Sequence, residues 1–385
     1  MSRSNILVIG CIVGAYLFFA SVSYLIFSKT AIGGSLVLES KPPATSVSIF
    51  NERLPKTESC PLNGALYSKD QRKWWETHRP LGVMIENHKG ARPQSGIWGA
   101  DVVYEAVAEG GITRFLAMYH CQDAGQIGPV RSARTYFLDF ISEYSEFPLY
   151  AHVGGANTSG PADALSHIAD YEWSGYNDLN QFSIGFPTFW RDYNRLGRPT
   201  DTEHTMYSTV KKLWDFAKTR GLTNVDKDNT SWDESFTPYS FKDDIKVSSP
   251  QAQIIRLAFW ENNDPYDVEW TYSAQTNAYE RSHGGSPHVD KNNNKRIIAK
   301  NVVVLFMKER SANDGYEGNV HLLYTTKGTG SAIVFIDGDR IDATWRKEGR
   351  RGRTLLFTKQ GKPIALNRGI IWFEILPTDG IVETE

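Results

Sequence analysis

Cysteine is scarce in this chain, and the few present show no metal-type or redox-type spacing. Three occur in 385 residues. With no CxxC pair and no Cys/His array, neither a structural zinc site nor a thioredoxin-like dithiol is indicated. An excess of charge of one sign is also missing: 42 Lys and Arg stand against 44 Asp and Glu, a formal net charge of -2. So balanced a chain carries no electrostatic footprint for nucleic acid, and no nucleic-acid partner is expected. There is no Walker A loop and no G-x-S-x-G elbow. Asp290–Lys295 opens like a calcium loop, but Lys295 stands where the turn glycine belongs and Asn301 where the closing glutamate belongs. After residue 28, no apolar run approaches membrane-spanning length.

Before residue 28 there is one. Ile6 to Phe27 carries no charge and matches the roughly 20 residues needed to cross a bilayer core. A cleaved signal peptide would have an apolar region of about 7–15 residues. Val8–Cys11 is similar to a lipobox, but the apolar stretch before Cys11 is short for one. The expectation is a single amino-terminal transmembrane helix over residues 1–28, with the rest of the chain outside the cytoplasmic membrane. In that oxidising compartment Cys60 and Cys121 can pair; two isolated thiols are the alternative.

Residues 29–78, with Pro42-Pro43 and scattered charge, read as an extracytoplasmic linker carrying a short helical turn at Lys69–Trp75. From 79 to 240 strands and helices alternate. Leu81–Glu86, Asp101–Val107, Thr113–His120 and Leu149–Val153 read as strands, Arg131–Tyr144 and Pro161–Ala169 as helices. Met206, Val210, Leu213, Trp214 and Ala217 mark a third helix at helical spacing. This is an α/β (α+β) domain with a mixed sheet and flanking helices. From 241 to 385 short strands dominate, with Asp337-Gly338 as a hairpin turn, which predicts a smaller all-β barrel or sandwich.

Charge placed among apolar strand-like runs is costly unless paired or used, and Gly82–Gly155 is dense in it. Arg131 and Arg134, three apart at the predicted helix start, would share a helix face and hold a phosphate or carboxylate beside unsatisfied N–H groups. Equally, they can pair internally with Glu86, Glu105 or Glu109. Arg114 and Ser132 join the candidate ligand-binding set of Glu86, Glu105, Arg131 and Arg134. Asp101 shares a strand face with Glu105 and is the candidate metal ligand. Asp101, Arg131 and His152, the last at a strand end followed by Gly154-Gly155, are the catalytic candidates.

The segments RPLGVMIENHKGARPQSG, ADVVYEAVAEGGITRFLAMY, IGPVRSART and HVGG, with GGSPHVD, KNVVVLF, IDGDRIDATWRKEGRRGRTLLF and GIIWFEILP further on, closely resemble the YerB-like family of bacterial envelope proteins. That resemblance implies surface localisation and brings no established reaction or cofactor. The motif order is also similar to that of the LytR-CpsA-Psr transferases, with Asp101 in ADVVY, Arg131 in PVRSAR and then Tyr150–Gly155. Ser132 stands where those enzymes have an aspartate. This second likeness implies magnesium-dependent glycopolymer or phosphoryl transfer using Asp101, Arg114, Arg131 and Arg134. The leading expectation is a membrane-anchored protein binding an anionic envelope ligand, a lipid-phosphate or glycan. A protein-interaction scaffold presenting a patch around Trp345 and Trp372 is a third.

Overall fold

A computed structural model describes residues 50–385 except 246 and 248. The expected anchor at Ile6–Phe27 lies outside the described residues. Among those described, no helix is long and apolar enough to cross a membrane.

The chain's first element with a clear local cause is helix α1 (Lys69–Trp75). Ser68 and Gln71 form a reciprocal capping box at its start. Together with a strand pair, Glu58–Ser59 on Leu66–Tyr67, it makes the last third of the expected linker folded structure. The anchoring contacts are Cys60, which is joined to Cys121, and Trp75, which is buried against the core.

Strands β1 (Leu81–Glu86), β2 (Val102–Glu109) and β3 (Ile112–Tyr119) are buried along almost their whole length. Strands buried so continuously are covered on both faces. The first cover is α2 (Thr135–Ile141), all of whose residues are buried. Beyond it come β4 (Leu149–His152), α3 (Ala164–Asp170), β5 (Asp178–Asn180) and α4 (Val210–Thr219). Helix α4 buries Val210, Leu213, Trp214 and Ala217 on one stripe and is capped by the Thr209 side chain.

The carboxy-terminal half supplies β6 (Ile254–Ala258), β7 (Val268–Ser273), β8 (Ala278–His283), β9 (Asn301–Met307), β10 (Gly328–Ile336), β11 (Asp339–Lys347), β12 (Leu355–Thr358), β13 (Ile371–Pro377) and β14 (Ile381–Thr384). β10 and β11 turn at Asp337-Gly338, as the sequence predicts, with both residues at positive φ.

These strands do not close into a separate barrel. Ten strands form one sheet in the order β12-β11-β10-β9-β13-β2-β3-β1-β4-β5. Five come from each half of the chain, joined where β13 runs parallel to β2. A second sheet holds β8-β7-β6-β14. Its strand β7 alternates buried and accessible residues, so one face is left to solvent. The result is a sheet-rich α+β fold with few helices. The described residues belong to one compact unit, which carries both of the expected domains.

Two buried ionic clusters fasten the halves together. In one, Arg281 Nη2 lies 2.5 Å from Glu105 Oε2, and its Nε lies 3.9 Å from Glu374 Oε1. Its guanidinium sits 4.8 Å from the Trp372 ring centre. In the other, Glu143, just past α2, receives Lys347 Nζ at 2.8 Å and Arg353 Nη1 at 3.2 Å. Trp345 and Trp372 are both buried, at 2% and 0% exposure. The scaffold patch expected around them is therefore core.

Candidate functional site: a cleft at the strand ends

Strands β1 and β4 run parallel and pair as far as Val83 and Ala151. Beyond that point they splay, and the segment 129–133 wedges into the gap. It bonds both sides: Arg131 N donates to Met84 O, Val153 N donates to Arg131 O, and Ala133 N donates to Gly154 O. Neighbouring strands that diverge at their carboxyl ends leave a crevice there, the usual place for a ligand in such sheets.

The crevice is a cavity of about 700 Å³ lined by Arg131, Ser132, Gly154, Asn180, Phe182 and Arg191 among others. Arg131 is its central cation. Its Nε lies 3.2 Å from Glu86 Oε1, and its side chain is 27% exposed while Glu86 is 4% exposed. Among the described residues neither terminal nitrogen of Arg131 hydrogen-bonds to protein. Glu86 Oε2 takes a second partner, His204 Nδ1, at 2.9 Å. That hydrogen bond raises the His204 pKa against the opposing effect of burial. His88 stacks on His204 with ring centres 4.8 Å apart.

The other candidates are distributed differently from expectation. Helix α2 begins at Thr135, and Arg134 before it is extended, at φ −138 and ψ 148. Residues an odd number apart in extended chain face opposite ways, so Arg131 and Arg134 share no face. Arg134 turns to Glu109, as does Arg114, whose Nη1 also donates to Ser132 O at 2.9 Å. A register shift in the β2–β3 pairing between Val107 and Glu109 accompanies this contact. Burial would push Glu109 up, but Arg114 and Arg134 outweigh it and bring its pKa down to about 2. This is internal pairing, not a ligand clamp.

Asp101 lies at the start of β2. Since β2 and β1 are both antiparallel to β3, Asp101 is at the opposite end of the strands from Glu86 and Arg131. Its oxygens accept from Asn63 Nδ2 at 3.0 Å, His120 N at 2.8 Å and Cys121 N at 2.9 Å. Burial raises its pKa to about 7. Surrounded by N–H donors with no second carboxylate at hand, it does not fit a magnesium ion. The adjoining Cys60 and Cys121, grouped with it as metal-ligand types, are a disulfide. Asp101 and Arg131 therefore cannot act on one substrate, and the geometry lends nothing to the LytR-CpsA-Psr likeness.

Glu105 is wholly buried and held by Arg281, Thr113 and Asn87. His152 is also wholly buried. Its Nε2 meets Asp178 Oδ1 and its Nδ1 meets Gly154 O, each at 2.6 Å. With both nitrogens engaged, it shapes the turn beneath the cleft and offers no atom to a substrate.

Glu86, His88 and His204 bring ligand atoms within 4.8 Å of one another. A cation there would displace Arg131 from Glu86, and His88 Nδ1 already accepts from Gly90 N at 3.1 Å. The set reads as a closed hydrogen-bonded support for Arg131.

Sequence reasoning missed His88, Asn180, Phe182, Arg191 and His204. Four of these lie in residues 171–204, between the second and third expected helices. The one available signal was the density of aromatic and basic residues in QFSIGFPTFWRDYNR.

Two family models match the chain. "Protein of unknown function (DUF3048) N-terminal domain" spans residues 66–223, and the corresponding C-terminal domain spans residues 255–373. A Bacillus subtilis (strain 168) protein named "Putative lipoprotein YerB" is 28% identical over 323 residues, covering 84% of this chain and 87% of its own length. The crystal structure of YerB from Bacillus subtilis shares the fold with a TM-score of 0.68 at 24% identity, over 85% of this chain and 100% of that one. Its sheet-rich fold and the paired amino- and carboxy-terminal matches place this chain in the YerB-like family of DUF3048 proteins.

Proposed function

We propose that this protein is an envelope-associated binding protein that holds an anionic ligand in the cleft between β1, β4 and β5. One observation carries the reading: Arg131 is fixed at its backbone, its Nε lies 3.2 Å from Glu86 Oε1 in an ion pair that is not a hydrogen bond, and its side chain is left at a cavity wall. A guanidinium held in this way is prepared for a two-pronged contact with phosphate or carboxylate. Arg191, also in the lining, adds positive charge, while Nη1 is tied to Thr202 and Thr205. Envelope association is supported by the lipoprotein name of the Bacillus relative and by the uncharged stretch Ile6–Phe27.

The test is calorimetric titration of the full chain with inorganic phosphate and citrate. Arg131→Ala should abolish binding in a chain that still folds, since Glu86 keeps His204 as a partner, and Arg131→Lys should restore only part of it. Equal affinity in parent and Arg131→Ala proteins, or no heat with either anion, overturns the reading.

A further inference from the structure

The cleft is built for more than a charged group. Its lining also includes the apolar side chains of Val130, Val153, Leu165, Phe182 and Met206, among polar ones such as Asn180 and Glu203. Phe182, in the short helix Gln181–Ile184, is 75% exposed, and Phe186, just past the end of that helix, is 70% exposed. Two large aromatic side chains left in water beside a cavity that Arg131, Arg191 and Glu203 line are an unusual use of apolar surface on a folded protein. Phe182 is nonetheless seated. A Cβ placed on Gly154 would come within 3.0 Å of its ring, and one on Gly155 within 3.0 Å of Leu165. The two glycines thus form a bare backbone floor against which both side chains pack. Gly154 is also at φ +56, where a side chain is disfavoured.

A small hydrophilic anion would satisfy Arg131 and leave this wall wet. We propose that the ligand is amphiphilic: a phosphate-type head at Arg131 with an alkyl chain lying along Val153, Leu165, Phe182 and Met206. The inference rests on the anion reading and extends it. A volume of about 700 Å³ lies within the range of about 300–1,000 Å³ usual for small-molecule sites, enough for a head group and part of a chain. A guanidinium and apolar side chains lining one cavity are together complementary to such a molecule and to neither half alone.

The experiment uses the full chain in phosphatidylcholine nanodiscs, with empty nanodiscs as the partition blank. Inorganic, butyl and hexyl phosphate and hexanol are titrated below micellar concentration. Affinity should rise in the order inorganic, butyl, hexyl phosphate, by roughly two- to fourfold per buried methylene, and hexanol should bind at least tenfold more weakly than hexyl phosphate. Phe182→Ser should flatten the dependence on chain length, and Arg131→Ala should abolish binding of all three phosphates. Phosphates that bind with no dependence on chain length overturn this proposal and leave the anion reading standing. Failure of every phosphate, inorganic phosphate included, removes both. Hexanol binding as tightly as hexyl phosphate overturns the amphiphile as well. A final arm adds phosphatidic acid to the nanodiscs. Competition against hexyl phosphate supports the proposal with bilayer lipid as the source, and its absence supports it with a soluble alkyl phosphate.

Discussion

Glu374 lies in register with Glu105 on the neighbouring parallel strand, and one guanidinium, that of Arg281, serves both carboxyl groups. Two acids and one base in a wholly buried place cannot all be charged at low cost. Burial and the nearby Glu105 push the Glu374 carboxyl well above its ordinary range, so the protonated form of Glu374 leaves a balanced Arg281–Glu105 pair. Arg281→Met should then lower the unfolding free energy by about 3–5 kcal/mol, since it strands a buried carboxylate. Glu374→Gln should cost under about 1 kcal/mol near neutral pH. Urea unfolding of both variants measures this, and the reverse ranking would refute the charge assignment.

The same carboxyl sets a pH dependence. A group whose pKa is raised by folding stabilises fully below its unfolded value, here 4.5, and that contribution is lost as pH climbs towards the folded one. Replacing Glu374 by Gln removes this loss. The stability of the variant relative to the parent should therefore improve as pH rises above about 4.5. Urea midpoints of both proteins across the acid-to-neutral range would show it.

His204 titrates with the same sign in a different window. Its pKa is raised by the Glu86 carboxylate. Its contribution is complete below the ordinary value of 6.5 and fades as pH passes the raised one. The melting-temperature gap between parent and His204→Gln should therefore be wider at about pH 5.5 than at about pH 8.5. A gap independent of pH would mean that the imidazole is held neutral.

The Cys60–Cys121 disulfide closes a loop with a sequence separation of 61. Chain-entropy arithmetic puts its contribution at about 4 kcal/mol. The Cys60→Ala/Cys121→Ala protein should unfold at a correspondingly lower urea concentration. The strand pair at 58–67 should lose amide-exchange protection first.

Lys347 and Glu143 form a second coupled pair, both buried. Lys347→Met alone should cost about 3 kcal/mol, because Glu143 keeps only part of its compensation. Combined with Glu143→Leu the loss should be markedly less than additive, as a double-mutant cycle would reveal.

Much of the strand inventory was legible because its physical signal is local. Leu81–Ile85 and Phe115–Tyr119 are unbroken apolar runs, and Asp337-Gly338 tolerates the positive φ of a tight hairpin. The Val210–Ala217 stripe is helical by spacing alone. The sheet that unites the halves was not legible. The β13–β2 pairing joins residues more than 250 positions apart, and nothing in either strand names the other. The site failed for a related reason. Arg131 and Arg134 look like a helical pair only if the helix begins at 131, but backbone bonds from Met84 and Val153 hold 131 extended. His204 reaches Glu86 across 118 positions, so no spacing rule could have joined them.

The parallel pairing of β13 with β2 has a consequence for biogenesis. The strand that occupies the fifth place in the ten-stranded order leaves the ribosome or a translocation channel more than 250 residues after β2. Until residues 371–377 arrive, β2 presents a bare edge beside the buried carboxylate of Glu105, with no neighbour on that side. The amino-terminal half must wait in an incomplete state, exposed to foreign strands. Chains truncated before residue 371 should accumulate as aggregates or be degraded, and a carboxy-terminal half supplied in trans should rescue them.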